Sequence, residues 1–371
     1  MGSLSRKNDT QNYRKCPIFW NDIIAVGCDD TGMDPLDHPD SDHELVQWRR
    51  DPETELSAII AIHDRSLGPA IGGCRIYPYA SREAALTDVL RLSRGMTFKC
   101  AIGGIPYGGG KAVIIADPAR DKTTAMLHAM GRFVDDLGGK YITSFDSGTT
   151  LDDVRTIGEV TPHVGGIAEG FGNASQSTAE GVFTCMEASW RHLTGRDLAG
   201  ARVAIQGMGN VGRRLAAMLH KAGARLIIAD VDPRACEGIE AQIASPDMIH
   251  AADADIFAPN ALGGVLNPAT IPAIKARLVC GGANNQLAAA GDAEALRERG
   301  ILYCPDYLAN AGGIIELHYQ RGGGDHAALG RHLASLGDTV REVIAEAEAT
   351  GATTAAVADA IALRRIEAAR S

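Results

Sequence analysis

Two lysines and one aspartate stand in a fixed order upstream of a glycine-rich turn. Lys99 closes Met96-Thr97-Phe98-Lys99, Lys111 closes Gly108-Gly109-Gly110-Lys111, and Asp146 opens Asp146-Ser147-Gly148-Thr149. One ammonium can hold a carboxylate. The other, set between glycines and an apolar run, is expected to be buried. Desolvation and a second nearby ammonium both disfavour the charged form of such a lysine. A lysine drawn toward ~7–8 works as a general base near neutral pH. Asp146 can compensate the two charges and relay a proton. Gly108, Gly109 and Gly110 carry no side-chain bulk, so substrate and water are expected to approach Lys111 closely.

The turn itself is Gly207-Met208-Gly209-Asn210-Val211-Gly212, the G-x-G-x-x-G spacing. Alone it is a weak signal. Here an apolar strand, Ala201 to Gln206, precedes it and a helix, Val211 to Ala222, follows. A second strand, Arg225 to Ala229, ends in Asp230, 18 residues beyond Gly212. That context is the one in which glycines admit a pyrophosphate to a helix N-terminus and an acidic residue meets the ribose 2′-OH. Asp230 would repel a 2′-phosphate, which favours NAD over NADP, with Arg234 close enough to qualify the preference.

Other elements must position these groups. Leu56 to His63 reads as a buried strand and Arg75-Ile76-Tyr77 as another. Ser81 is an N-cap candidate for a helix whose apolar face passes through Ala84, Leu86, Val89 and Leu92, bringing Lys99 to its end. Lys111 is expected to open the strand Ala112 to Ala116, Lys122 to Leu137 to be helical, and Tyr141 to Thr143 to be a strand with Asp146 just past it. A helix over Ser177 to Leu193 leads into the turn. Strands at Ile256–Ala258, Leu278–Cys280 and Ile301–Tyr303 continue an alternation of β and α. Gly322-Gly323-Gly324 would hinge a last helical segment, His326 to Arg370.

Composition sets the bounds. The chain has 371 residues, 45% hydrophobic and 22% charged, as in a soluble two-domain protein. A net charge of -10 argues against a nucleic-acid surface. No apolar run reaches the ~18 residues of a membrane span. The start, Met1-Gly2-Ser3-Leu4-Ser5-Arg6, has no apolar h-region, and Arg6 spoils a myristoylation pattern. Residues 1–20 read as a mobile arm. The aspartates and histidines over residues 28–43 lack EF-hand spacing and read as a solvated acidic loop, not a metal site. The eight scattered cysteines, with no C-x-x-C pair, point to reduced thiols in a cytoplasmic protein.

With these residues in view, the chain resembles the Glu/Leu/Phe/Val amino-acid dehydrogenase family, in particular its leucine, phenylalanine and tryptophan branch. The resemblance runs from about His43 to the C-terminal helix. It rests on Leu67-Gly68-Pro69-Ala70-Ile71-Gly72-Gly73-Cys74-Arg75, the lysine and aspartate motifs above, Gly281-Gly282-Ala283-Asn284-Asn285-Gln286-Leu287, Pro305-Asp306-Tyr307 and Asn310-Ala311-Gly312-Gly313. It implies an α/β fold: a mixed-sheet substrate and oligomerisation domain over residues 1–176, a Rossmann NAD-binding domain over 177–327, a cleft between them, and a C-terminal helix over 328–371 that packs back on the first domain. It implies a homo-oligomer acting on an amino acid, its 2-oxo acid and ammonia.

Carried over residue by residue, Lys99 matches the lysine that binds the α-carboxylate, Lys111 the catalytic lysine that activates water, and Asp146 the carboxylate that assists proton transfer. Gly72 and Gly73 match the glycines bordering the substrate, and Asn284 the asparagine between nicotinamide and substrate. Thr178 matches the threonine on the carboxamide, with Asn310 also assigned to the cofactor. The side-chain pocket maps onto Ile71, Met96, Ser144, Ile314 and Leu317. Ser144 and Ile314 narrow it toward a branched-chain aliphatic substrate. Yet Ile59 to Asp64 and Ala112 to Ile115 look most like the tryptophan type, which keeps an aromatic substrate open. The pocket carries slightly more weight because its residues would touch substrate. Two departures stand out. Ser147 adds a polar group beside Asp146. Glu316 is expected to face solvent; were it to face the pocket, it could read a polar or modified amino acid. A catalytically silent NAD-binding regulator is the remaining alternative.

Overall fold

The computed structural model describes residues 42–168 and 174–370. The expectations for the first 20 residues, for Cys16 and Cys28, and for most of the acidic 28–43 stretch lie outside them.

The first half builds a mixed sheet from β1 (Leu45–Asp51), β2 (Leu56–Asp64), β3 (Ala70–Tyr77), β4 (Gly108–Ile115) and β5 (Tyr141–Phe145), in the order β1-β2-β4-β3-β5. β2 runs antiparallel to β1 and β4, while β3 is parallel to β4 and β5. The central strands are near-continuous apolar runs because both faces are covered. On one face Val46, Ile59, Ala61 and Val113 meet Ala85, Leu86, Val89 and Leu90 of α1 (Arg82–Ile102). On the other, Ile60, Ile62, Ala112 and Ile114 meet Met126, Met130 and Phe133 of α2 (Thr124–Asp135). α3 (Leu151–Gly158) follows β5, started by a capping box between Thr150 and Asp153.

Ser81 caps α1 by accepting a hydrogen bond from the Ala84 backbone at 3.2 Å. The helix continues to Ile102, so Lys99 sits in its last turn, where the helix dipole favours a cation.

The glycines before Lys111 have a different job from the one expected. β4 begins at Gly108, so Lys111 lies inside the strand. A Cβ on Gly109 would stand 2.1 Å from the Thr97 backbone nitrogen, and one on Gly108 would stand 2.1 Å from the Asp64 carbonyl oxygen. At Gly110 the obstacle is the Tyr141 ring, 2.7 Å away. These residues are small so that β4 can press against α1, β2 and β5, not to admit substrate.

The second half opens with α4 (Ser175–Thr194) and carries a parallel sheet. Its strands are β6 (Arg202–Gln206), β7 (Arg225–Ala229), β8 (Gln242–Ile243), β9 (Ile256–Pro259), β10 (Leu278–Val279) and β11 (Leu302–Tyr303). The order β11-β10-β9-β6-β7-β8 is the doubly wound dinucleotide-binding order 3-2-1-4-5-6 counted from β6. β8 is exposed and only two residues long, and its sequence carries no strand pattern. α5 (Asn210–Lys221) crosses from β6 to β7. α6 (Asp292–Glu298), α7 (Asp306–Ala309) and α8 (Gly312–Arg321) follow in the last third.

The C-terminal segment is two helices, not one. α9 (His326–Thr350) ends at Gly351, whose φ of 72° makes a left-handed cap, and α10 (Thr354–Arg370) starts afresh. Leu329, Leu333, Leu336 and Val340 of α9 join the core of α4 in the second half. α10 returns to the first, where Ala362 and Ile366 pack on Phe98 and Ala101 of α1, and His332 of α9 also reaches it, 2.7 Å from the Gly103 carbonyl. Arg365 donates to the Ala101 and Ile102 carbonyls at 3.1 and 2.7 Å, closing the end of the helix that bears Lys99.

Gly109→Ala should therefore cost about 1–3 kcal/mol of stability by overpacking, read as a lower urea midpoint. An unchanged midpoint would remove the packing role.

Candidate active site

Lys99, Lys111 and Asp146 reach one cavity of about 290 Å³ between the two sheets. From the first half come Gly72 and Gly73 of β3, Lys111 of β4, Ser144 and Phe145 of β5, Asp146 just beyond it, and Met96 and Lys99 of α1. Gly72 and Gly73 sit where the pairing of β3 with β4 skips, between Ile71↔Gly109 and Cys74↔Ala112. From the second half come Thr178, Val211, Gly282, Asn284, Asn310, and Gly313, Ile314, Leu317 and Gln320 on α8.

One expected pocket residue is elsewhere. Ile71 is fully buried in the core with Cys100 and Ile142 and is not among the residues that line the cavity, although Gly72 and Gly73 beside it are. Gly207, Met208, Gly209, Asn210, Gly212 and Asp230 stand off the cavity as well, at the ends of β6 and β7 and the start of α5.

Lys111 is buried, and its Nζ lies 2.7 Å from Asp146 Oδ2. The same oxygen accepts from Arg75 Nε at 3.1 Å, and Arg75 Nη1 bonds Asp88 at 2.8 Å. Burial alone would raise the Asp146 carboxyl, but Lys111 and Arg75 outweigh it and hold the group down at about 2. Thr149 fixes the turn: its hydroxyl donates to the Cys74 carbonyl at 2.8 Å and accepts from the Asp146 backbone N–H at 2.8 Å. Sequence reasoning passes over Arg75 as a site residue. A lone arginine within the apolar strand Ala70–Tyr77 is the signal it offers.

Lys99 is half-buried and donates to Asn284 Oδ1 at 3.1 Å. Burial pulls its ammonium down in pKa, Asp306 pulls it back up, and Lys111 adds to the lowering. Asn284 Oδ1 also accepts from Asn310 Nδ2 at 2.8 Å. Thr178 lines the same wall, its hydroxyl donating to the Ala174 carbonyl at 2.7 Å.

The glycine turn has a backbone geometry that suits a dinucleotide. Gly207 takes a φ of 88°, open to glycine alone at low cost, and a Cβ on Gly212 would stand 2.0 Å from the Gly207 carbonyl oxygen. Gly209 caps α5 without a side-chain bond, leaving its first N–H groups for an anion. Asp230 accepts from the Met208 and Asp232 backbones at 2.6 and 2.9 Å. Arg234 is engaged at the surface by Asp232, 2.9 Å away. At the cavity end, Asn310 Oδ1 is buried with no partner among the described residues, as a carboxamide donor would require. These groups fit a nicotinamide dinucleotide.

Two departures resolve differently from expectation. Ser147 is exposed; only its backbone is used, accepting from Ile76 at 3.0 Å. Glu316, expected in solvent, is 3% exposed and bonds Gln320 at 3.1 Å. Phe145, Gly282, Gly313 and Gln320 join the site without having been expected there. Gln320 follows Leu317 by three residues, a spacing that could reveal it.

Comparison with known proteins places this geometry. The family model described as "Glu/Leu/Phe/Val dehydrogenase, dimerisation domain" matches residues 44–163, and that described as "Glutamate/Leucine/Phenylalanine/Valine dehydrogenase" matches 170–237 and 229–318. A leucine dehydrogenase of Geobacillus stearothermophilus is 44% identical over 88% of this chain and 91% of its own. A phenylalanine dehydrogenase of Bacillus thermotolerans is 42% identical over 88% and 89%. The crystal structure of L-tryptophan dehydrogenase from Nostoc punctiforme superposes with a TM-score of 0.78 at 42% identity, covering 89% of this chain and 97% of that one.

The Asp146 pair has a pH signature. Its carboxyl is held below the ordinary 3.8, so its stabilisation is complete above about pH 4 and fades as pH falls toward 2. The stability difference between the wild type and Asp146→Asn should shrink over that window by on the order of 2 kcal/mol. A difference constant with pH would place the carboxylate outside the pair.

Proposed function

The chain belongs to the Glu/Leu/Phe/Val dehydrogenase family, and on that premise we propose an NAD-dependent L-amino-acid dehydrogenase. It converts an apolar L-amino acid, water and NAD to the 2-oxo acid, ammonium, NADH and a proton. The observation that carries this reading is the convergence of Lys99, Lys111 and Asp146 on one cavity whose far wall holds Thr178 and the unpartnered Asn310 carbonyl.

NAD, when bound, supplies the hydride acceptor. Lys99 holds the substrate carboxylate, leaving the α-carbon between the two halves. Lys111 takes a proton from the water that attacks the substrate iminium carbon, and later returns it to the departing ammonia. Asp146, kept anionic by Arg75, steadies the ammonium that Lys111 becomes. Asn284 orients Lys99 and faces the nicotinamide position. The turn from Gly207 to Gly212 cradles the pyrophosphate, and Asp230 meets the ribose and favours NAD over NADP.

In this reading residues 1–176 make the substrate domain and 177–327 the cofactor domain, with α10 packing back on the first. Met96, Ser144, Ile314 and Leu317 form the apolar walls, and Ser144 and Ile314 narrow them toward a branched-chain side chain. An aromatic substrate is the second reading, favoured by the tryptophan-type look of β2 and β4. The match to a dimerisation domain supports a homo-oligomer. The six cysteines among the described residues are free and buried, which suits a reducing cytoplasm. Among the described residues no helix is long and apolar enough to cross a membrane.

The test is NADH formation at alkaline pH across the proteinogenic L-amino acids, repeated with NADP. Turnover on leucine, valine or isoleucine supports the narrow pocket; turnover confined to phenylalanine or tryptophan means the walls were over-read. Lys111→Ala should lower kcat by about 10²–10⁴-fold while sparing NADH binding. Lys99→Ala should chiefly raise KM. Surviving turnover in the first or an unchanged KM in the second would remove that role.

A further inference from the structure

Glu316 and Gln320 form a polar pair that the reaction above leaves unused. Gln320 is 8% exposed and lines the cavity; Glu316 is 3% exposed and stands behind it, outside the lining. Gln320 Nε2 donates to Glu316 Oε1 at 3.1 Å, while Gln320 Oε1 is buried with no partner among the described residues. A carboxylate only accepts hydrogen bonds, so it fixes which way the amide lies. The NH₂ is held toward Glu316, and the carbonyl is left unserved.

Position adds a second constraint. Ile314, Leu317 and Gln320 recur every three residues along α8 and share the cavity face. At 1.5 Å per residue, Gln320 lies about 4.5 Å beyond Leu317 and about 9 Å beyond Ile314 along the axis. The cofactor end is fixed by Gly313, where a Cβ would stand 2.8 Å from Thr178 Oγ1. A side chain leaving the α-carbon thus passes two apolar residues before it meets the amide.

We propose that Gln320 reads the tip of the substrate side chain, its carbonyl accepting a hydrogen bond from a neutral N–H or O–H donor at the end of an otherwise apolar L-amino acid. Glu316 is the positioning residue that holds the amide in that orientation. The inference rests on the dehydrogenase reading and names its substrate class. It is independent of pocket width, because Ser144 and Ile314 set how broad the side chain is and Gln320 sets how it ends.

Two matched pairs test it. Tryptophan is compared with 3-benzothienyl-L-alanine, which replaces the indole N–H by sulfur, and 5-hydroxyleucine with leucine. Whichever size the walls admit, one pair reports on the tip. The wild type should favour the donor-bearing member by about 10-fold or more in kcat/KM. Gln320→Met keeps the length and removes the amide; its ratio should fall to about one. Glu316→Gln should lower the ratio part-way without slowing the donor-free member. A wild-type ratio near one, or a ratio that survives Gln320→Met, overturns the proposal. The wild-type ratios decide alone should the variants not fold. Turnover with flat ratios sinks this inference only, whereas silence toward every amino acid sinks the dehydrogenase reading and this inference with it.

Discussion

Two ammonium groups share one partly dry cleft, and the arrangement around them answers the cost of that charge. Each is met by its own carboxylate. Lys111 has Asp146 at 2.7 Å, and Asp146 has Arg75 behind it, which Asp88 in turn balances. Lys99 feels Asp306, a half-buried carboxyl that desolvation pushes up in pKa and that accepts from the Gln286 and Tyr307 backbones at 2.9 and 2.7 Å. The result is a row of charges from the first sheet into the second, with the two ammonium groups as neighbours at its centre and carboxylates on either side. Removing one member of a buried pair leaves the other unpaired, which costs far more than the pair contributes when whole. The positions of β3, β4, β5 and α1 follow from holding that row in register.

Much of this row is legible in the amino-acid sequence. The order of lysines, aspartate and glycine turn marks a two-part cleft, because those residue types have few other reasons to cluster in that order. Short apolar runs set between turn residues, such as Arg225 to Ala229, read clearly. Direction does not. Ile71 and Gly72 are neighbours, yet Ile71 lies in the core while Gly72 and Gly73 line the cavity. Arg75 shows its charge in sequence but not the partner that gives it meaning, since Asp146 lies just past the end of the neighbouring strand β5. Gly351 breaks the last helical segment in a stretch whose flanks are helical on both sides, and only its positive φ shows the break.

The three glycines before Lys111 and the glutamate on α8 depart from expectation for one reason. Small and charged residues have commonest uses, open space and solvent, and neither use applies here. Sheet packing instead puts the glycines under Thr97, Asp64 and Tyr141, where no side chain fits. Helix packing puts Glu316 inside, where an acceptor-only group persists by having a donor, here the Gln320 amide. Both cases show burial set by the neighbouring element, which local sequence does not contain.

The same logic explains how the two halves stay coupled. Lys99 belongs to α1, whose end is closed by Arg365 of α10, and its hydrogen bond to Asn284 crosses to the second half. A lysine ammonium has three protons to give. Asn284 takes one, so a carboxylate arriving in the cleft finds two still available and need not break the crossing bond. On the proposed reading, a substrate carboxylate would therefore add to the link between the sheets, and the residue that recognises it would be the one whose hydrogen bond already joins α1 to Asn284.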